Sequence, residues 1–171
     1  MLPSPNCVQL LPLADHHAEA MYRWMLDPEV SGNIGLRSEP SLQRTYDWIA
    51  RATESASFMP FAIYLRDRHV GNLIFDDIAP DLESARLSIY IGEPDARNKG
   101  LGSQALQLAV EEAFAEGFRA IWLTVHKANE RALHTYLKAG FRIVESTAEP
   151  IGSHRMNLSH SEWIACRGER R

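Results

Sequence analysis

The stretch Arg97-Asn98-Lys99-Gly100-Leu101-Gly102 stands directly before the clearest helical pattern of the 171-residue chain. From Leu101 to Glu116 apolar residues recur every three or four positions with polar residues between them, which predicts an amphipathic helix. Two glycines at a helix start let the backbone approach a ligand closely and point its unpaired N–H groups toward it. The helix dipole adds roughly 0.3–1 kcal/mol in favour of an anion. We therefore predict that a phosphate group binds here, helped by the side chains of Arg97, Lys99 and Ser103.

Three other interpretations of this glycine-containing stretch have to be compared with the phosphate site. The simplest is a glycine-containing helix start that binds nothing. A dinucleotide fingerprint of the form GxGxxA fits residues 100–105, but Gly92 to Lys99 intervene between the preceding strand and the first glycine, and the next strand ends in His126-Lys127 rather than in a ribose-binding acid. A Walker loop would need Gly-Lys-Ser or Gly-Lys-Thr after four spacer residues, and the chain has neither.

Composition predicts a single globular domain over residues 1–171, since 45% of the residues are hydrophobic and 23% are charged. The net charge of -4 argues against a nucleic-acid partner. No apolar run approaches the roughly 18–20 residues that span a bilayer, so we expect a cytoplasmic protein with no membrane partner. Cys7 and Cys166 lack metal or disulfide spacing and are interpreted as free thiols.

Periodicity and turn residues predict an α+β protein with the element order β-α-α-β-β-β-α-β-α-β-β. Residues 27–40 hold two prolines and two glycines and are expected to form a loop, while residues 161–171 are expected to be a polar, frayed tail. The predicted helices cover 15–26, 41–51, 101–116 and 129–139. The predicted strands cover 8–13, 58–65, 70–75, 85–91, 120–125, 141–144 and 154–158.

Two motifs in order give the chain a family resemblance. Arg97 to Gly102 matches the signature of the GNAT superfamily of acyl-CoA N-acyltransferases, which is Arg or Gln, two residues, Gly, one residue, then Gly or Ala. Downstream, Asn129-Glu130-Arg131-Ala132, Tyr136, Lys138 and Gly140-Phe141 resemble the second segment of that superfamily on the coenzyme A side. Upstream, Ile89-Tyr90-Ile91-Gly92 resembles the strand end before the coenzyme loop. The N-terminal half resembles, less specifically, the ribosomal-protein and spermidine acetyltransferase branches.

The resemblance implies a mixed, mostly antiparallel sheet of six to seven strands flanked by about four helices. It implies acetyl-CoA as the cosubstrate, with its arm beside the strand of residues 86–91 and in a cleft where that strand diverges from residues 121–125. Backbone amides of Ile89, Tyr90 and Ile91 would hold the pantetheine and the acyl carbonyl. The cofactor contacts carried over by residue are Arg97, Asn98, Lys99, Gly100, Leu101, Gly102, Ser103 and Asn129.

The resemblance also implies that Tyr136 is the general acid that protonates the departing thiolate. Spacing alone favours an ordinary packing role, because Leu133, Tyr136 and Leu137 share one helical face with Gly140. Asn129 likewise has a structural interpretation as a helix N-cap, which is compatible with a contact to the cofactor.

The base that takes the proton of the amine is not specified by the sequence. Related enzymes often carry a glutamate where this chain has Arg86, so Glu83 is a weak candidate, with Asp76, Asp77 or a water chain as alternatives. The same acids could instead hold a cationic acceptor, such as a polyamine or a protein N-terminus. The histidines show no metal-ligand pattern, and no metal is predicted.

The resulting hypothesis is an N-acetyltransferase that moves the acetyl group of acetyl-CoA to a primary amine by direct attack in a ternary complex. The acceptor would be a small molecule, such as a polyamine or an amino sugar, or a peptide N-terminus. The alternative is a non-catalytic module that binds acyl-CoA as a sensor or docking domain. A homodimer is left open.

Overall fold

The computed structural model describes residues 7–145 and 150–168. Its residues form two compact units. The first contains Met1–Asp76 and Ser88–Ala109, and the second contains Asp77–Leu87 and Val110–Arg171. Each unit is described by itself below. Within the described residues, no helix is both long and apolar enough to cross a membrane.

The described residues form seven strands and six α-helices. Short 3-10 turns also occur at Asp15–His17, Pro80–Leu82 and Pro94–Ala96. The strands are β1 (Val8–Pro12), β2 (Met59–Leu65), β3 (Arg68–Asp76), β4 (Ala85–Ile91), β5 (Ala120–His126), β6 (Arg142–Val144) and β7 (Ser153–Ser159). The helices are α1 (Ala18–Met25), α2 (Pro28–Asn33), α3 (Leu42–Glu54), α4 (Leu101–Ala115), α5 (Glu130–Ala139) and α6 (His160–Gly168).

The strands form a seven-stranded sheet in the order β1-β2-β3-β4-β5-β7-β6. The pairs β1–β2, β2–β3, β5–β7 and β6–β7 are antiparallel, whereas β4 and β5 are parallel. The α+β class and the mixed, mostly antiparallel sheet are therefore confirmed. β1 lies at one edge, as expected for a strand that contains Pro12, because proline cannot donate a ladder hydrogen bond.

The core of the first unit lies where α1 and α3 pack over apolar strand residues. Trp24 is 2% exposed and is surrounded by buried residues that include Met21, Ile49 and Ala62. Gly92 lies so close to this ring that a Cβ atom would be 2.0 Å from Trp24 Cδ2. A side chain at position 92 would therefore push the indole out of the core.

In the second unit, alternate residues of β5 and β7 point into the core. Ile121 stands opposite Leu158 and Leu123 opposite Met156, and all four are buried. Such alternation places every second residue of a strand on the same face. The residues between them, including Trp122 and Asn157, therefore lie on the opposite face of the sheet.

The structure adds a helix in the predicted loop at 27–40. Asp27 accepts a hydrogen bond from the Glu29 N–H at 2.9 Å, and Pro28 fills the first turn, so the segment begins a short helix, α2. Proline is well suited to a first turn, because it lacks the N–H that would be unpaired there. The prediction of a loop is therefore wrong over Pro28–Asn33.

The expected frayed tail at 161–171 is also replaced by a helix over its described part. Ser159 and Glu162 cap α6 reciprocally: the Ser159 N–H donates to Glu162 Oε2 at 2.9 Å, and the Glu162 N–H donates to Ser159 Oγ at 3.3 Å. Trp163 packs against Phe114 of α4, with ring centroids 5.1 Å apart. Residues 169–171 lie outside the described residues. With α2 and α6 the described chain has six α-helices instead of about four.

Candidate functional site

The loop before α4 has the backbone conformation that a close approach of a ligand requires. Asn98 and Gly100 have φ angles of 62° and 76°, in the left-handed region that favours glycine and tolerates asparagine. A Cβ atom at Gly100 would meet no atom within 4 Å, so the backbone angle rather than crowding demands glycine there. Asn98, Lys99 and Gly100 are exposed.

The start of α4 presents unpaired amides next to this loop. The first helical hydrogen bond runs from the Gln104 N–H to the Gly100 carbonyl at 3.1 Å. The N–H groups of Leu101, Gly102 and Ser103 precede it and have no acceptor within the helix. Leu101 is only 5% exposed and anchors the turn. The arrangement can bind an anion at the exposed helix start.

Arg97 does not direct its side chain into solvent. Its guanidinium contacts the carboxylates of Asp27 at 2.7 Å and Glu29 at 2.9 Å. It also donates to the carbonyl oxygens of Ile91 at 3.1 Å and Gly92 at 2.7 Å. The hydrogen bond from Arg97 is the main cause that lowers the pKa of Asp27. The guanidinium thus fastens α2 to the end of β4, and its predicted contact with a phosphate stays a prediction.

Glu93 forms a second group of contacts between distant segments of the first unit. Its Oε1 accepts a hydrogen bond from Trp24 Nε1 at 3.0 Å, and its Oε2 lies 2.8 Å from Arg68 Nη2. Burial raises the pKa of Glu93, but the bonds from Trp24 and Arg68 outweigh it and lower the pKa overall. The contacts of Glu93 were not predicted from the sequence, because Trp24 and Arg68 lie far from it along the chain and leave no local pattern.

The C-terminal half of β4 is fixed from the side of β3. The Tyr90 hydroxyl accepts a hydrogen bond from Asn72 Nδ2 at 2.7 Å, and Asn72 Oδ1 lies 2.8 Å from His69 Nε2. Burial raises the pKa of Tyr90 to about 12, so it stays neutral. A Cβ at Gly71 would be 2.3 Å from the Tyr90 carbonyl oxygen, so only glycine permits this close approach.

Asn129 and Tyr136 belong to the second unit, at the start and on the body of α5. The Asn129 Oδ1 accepts a hydrogen bond from the Ala132 N–H at 3.2 Å, which confirms its interpretation as an N-cap. Burial raises the pKa of Tyr136 to about 12, and its ring packs edge-on against Phe141. Within residues 7–145 and 150–168, the Tyr136 hydroxyl makes no hydrogen bond.

The candidate bases lie at the end of β3 and in the segment between β3 and β4. Glu83 is 67% exposed at its side chain, and its Oε1 lies 3.7 Å from Arg119 Nη1, which is a weak surface ion pair. Asp76 ends β3 in the first unit, whereas Asp77 follows in the second unit with a φ of 46°. Among the described side chains, no group of three His, Cys, Asp or Glu residues could hold a metal ion. The role of Glu83 as a base therefore stays a weak prediction.

Known proteins resemble the chain over nearly its whole length. A curated spermidine N(1)-acetyltransferase of Escherichia coli (strain K12) is 26% identical over 153 residues, which is 83% of this chain and 76% of that protein. The solved structure of spermidine N-acetyltransferase from Vibrio cholerae in complex with CoA and spermine has a TM-score of 0.84 at 17% identity and covers 92% of this chain and 98% of that one.

A second solved structure is the aminoglycoside acetyltransferase AAC(6')-Ib in complex with coenzyme A. It has a TM-score of 0.81 at 19% identity and covers 94% of this chain and 99% of that one. At such identities the two structures show that the fold is shared. The acetyltransferase (GNAT) domain model matches residues 8–142. The chain therefore belongs to the acetyltransferase (GNAT) domain family, and its expected place among acyltransferase enzymes is confirmed.

Proposed function

We propose that this protein transfers the acetyl group of acetyl-CoA to a primary amine, by direct attack of the amine within a ternary complex. The observation that carries the proposal is the exposed start of α4, where three consecutive amides lack helical acceptors in a chain of the GNAT family. Similar solved structures contain coenzyme A, which supports the choice of donor.

The cofactor would be bound mainly through the backbone. The amides of Leu101, Gly102 and Ser103 would donate to the pyrophosphate, with the exposed Lys99 ammonium adding charge. The left-handed Asn98 and Gly100 would let the backbone approach it. Amides of residues 89–91 would hold the pantetheine and the acyl carbonyl, and Asn129 would bind the pantetheine arm.

Tyr136 would assist the departure of the thiolate. The amine nitrogen attacks the thioester carbon, the C–N bond forms, and the C–S bond breaks as its electron pair moves to sulfur. The thiolate of a thiol with an ordinary pKa of roughly 8.5 is a weaker base than the tyrosinate of Tyr136, whose hydroxyl has a pKa of about 12. The hydroxyl would therefore stabilise the sulfur mainly by donating a hydrogen bond, with the final proton coming from water. The absence of a described partner for this hydroxyl supports that role.

The acceptor would be an amine-bearing small molecule or a peptide N-terminus. Proteins named for spermidine and for aminoglycosides are among the relatives and structural neighbours, and both names denote amines. The amine must be neutral to attack, so a base or a water chain takes its proton. Glu83 stays a weak candidate for that base.

Thiol release from acetyl-CoA, measured across polyamines, amino sugars, amino acids and N-terminal peptides, tests the proposal. We expect saturable release with at least one acceptor and a product whose mass is increased by one acetyl group. Calorimetric titration with acetyl-CoA and with NAD(H) serves as the binding control, and only acetyl-CoA should bind. Tight acetyl-CoA binding without release across the panel would instead identify a non-catalytic binding module.

A further inference from the structure

The side-chain amide of Asn72 joins two strands of the first unit from a buried position. Asn72 lies on β3, is 7% exposed, and donates a hydrogen bond from Nδ2 to the Tyr90 hydroxyl of β4 at 2.7 Å. At the other end of the amide, Oδ1 lies 2.8 Å from His69 Nε2. Both polar atoms of the amide therefore have a partner, as a buried polar group requires. An N–H group at His69 Nε2 fixes the orientation of the amide, so that Nδ2 faces Tyr90.

The ring of Tyr90 is held along its length as well as at its hydroxyl. It packs edge-on against Trp24, with ring centroids 6.1 Å apart, and Trp24 is buried in the core of the first unit. A tyrosine side chain has only two torsion angles between its ring and its backbone. A ring contact and a hydrogen bond at the hydroxyl together therefore restrict the position of the Tyr90 backbone.

The backbone at the end of β4 is oriented by β3. The Gly92 N–H donates to the Val70 carbonyl oxygen at 2.8 Å, so the polar backbone groups of Gly92 point toward β3. These groups alternate in direction along a strand, so those of Ile91, and of Ile89 two residues earlier, point away from β3. The Ile91 carbonyl agrees with this direction, since it accepts a hydrogen bond from Arg97 Nε at 3.1 Å.

We propose that Asn72 is a positioning residue for the acyl group, because through Tyr90 it sets the amides of Ile89 and Ile91. The inference rests on the proposed function, which assigns these amides to the pantetheine and the acyl carbonyl. A donor stabilises charge on a carbonyl oxygen best when its direction and distance are fixed before the reaction. Asn72 acts through Tyr90 and not by its own contact with the cofactor.

The carbon-13 resonance of acetyl-CoA labelled at its acetyl carbonyl tests this role without turnover. Hydrogen bonds to a carbonyl oxygen polarise the C=O bond and move the carbon resonance downfield. We expect a downfield shift when acetyl-CoA binds the parent protein, and a loss of about half of it or more in Asn72→Ala and in Tyr90→Phe. The double variant should lose no more than Tyr90→Phe alone, because residues that act through one contact have non-additive effects. Additive losses would overturn the role, and Tyr90→Phe alone decides it if Asn72→Ala melts early.

Tyr64→Phe is the matched control, since it also removes one hydroxyl from a tyrosine of the first unit. The Tyr64 hydroxyl lies 3.0 Å from His17 Nε2, and its ring stacks on His69 with centroids 5.5 Å apart. The variant thus perturbs the same cluster without touching the contact between Asn72 and Tyr90. It should keep the full carbonyl shift. Equal losses of the shift in Tyr64→Phe and Tyr90→Phe would indicate a general loosening of the unit and would overturn the positioning role.

Turnover provides a second measurement. With a verified acceptor, kcat should fall about tenfold in Asn72→Ala and Tyr90→Phe while the Kd for acetyl-CoA stays within about threefold, because these donors matter most where charge develops in the transition state. An unchanged kcat in both variants overturns the role. If the parent shows the carbonyl shift but acetylates no acceptor, the resonance decides the role of Asn72 by itself. If the parent does not bind acetyl-CoA, the proposed function and the role of Asn72 are both overturned.

Discussion

The guanidinium of Arg97 lies 2.7 Å from the carboxylate of Asp27, which precedes it by 70 residues in the sequence. The same guanidinium donates to the carbonyl oxygens that end β4. One side chain thus holds the N-cap of α2, the last residues of β4 and the loop before α4 together. We therefore expect Arg97 to support the predicted phosphate loop through these intramolecular contacts.

Replacement of Arg97 by glutamine should therefore lower both stability and cofactor affinity. The Arg97 side chain is 11% exposed, and its loss leaves partly buried carbonyl oxygens unpaired, at a cost of about 1–3 kcal/mol in the free energy of unfolding. Chemical denaturation measures that change, and calorimetry measures acetyl-CoA binding. Arg119→Gln, which removes an exposed pair 3.7 Å long, should change stability by less than about 0.5 kcal/mol. Equal effects of the two variants would contradict the fastening role of Arg97.

The two glycines of the motif should differ in their response to alanine. Gly100 has a φ of 76°, where a side chain costs roughly 1–2 kcal/mol, so Gly100→Ala should destabilise the loop and weaken acetyl-CoA binding. A Cβ at Gly102 would lie 3.8 Å from Ile91 Cγ1, which is an ordinary contact. Gly102→Ala should leave stability within about 0.5 kcal/mol of the parent or raise it, because alanine favours a helix. Similar melting temperatures for both variants would refute this difference.

Stability should fall as the pH drops from about 6.5 to 4 because of His17. Burial, and then the charges of His69 and His16, lower the pKa of His17 from 6.5 to about 4. Its Nε2 also lies 3.0 Å from the Tyr64 hydroxyl. Between these values the unfolded chain binds a proton that the native state does not, so the free energy of unfolding decreases with falling pH.

The size of this effect is about 1–3 kcal/mol over the whole window. Denaturation at a series of pH values measures it. His17→Gln should flatten the dependence, leaving the smaller contribution of His69, whose pKa burial also lowers. His134 is exposed and serves as the control, since His134→Gln should retain the full slope. An unchanged slope in His17→Gln would assign the dependence to other groups.

Much of the fold could be predicted, because it follows local rules. β4 spans Ala85–Ile91 as expected, and α4 begins at Leu101 as its apolar spacing predicted. Asn129 caps α5 through its side chain, as its residue type indicated. The loop at 27–40 was the weak point, since Pro28 terminates one helix and opens the next. A proline can end one helix or occupy the first turn of the next. Only the position of Pro28 directly after the N-cap Asp27 distinguishes these two roles.

The site was less predictable, since its side-chain partners are far apart in sequence. The charge of Arg97 suggested a phosphate ligand, yet its partners Asp27 and Glu29 lie on a segment that was interpreted as a loop. Trp122 lies in the predicted strand 120–125, but its contacts with Arg86 and Arg155 of two other strands could not be predicted. Pairings of this kind depend on strand register, which periodicity does not specify.

The role proposed for Tyr136 can be tested by removal of a single oxygen atom. Tyr136→Phe keeps the packing against Phe141, so the melting temperature should stay close to that of the parent. The Kd for acetyl-CoA should stay within about twofold of the parent value. A hydrogen bond that strengthens as charge develops on sulfur contributes to the rate of the chemical step, so kcat should fall about 10- to 100-fold. Thiol release with a verified acceptor measures kcat, and calorimetry measures cofactor binding. Tyr22→Phe, at a tyrosine of α1, is the control and should keep full activity. If Tyr136→Phe turns over at the parental rate, the tyrosine only packs and water alone protonates the thiolate.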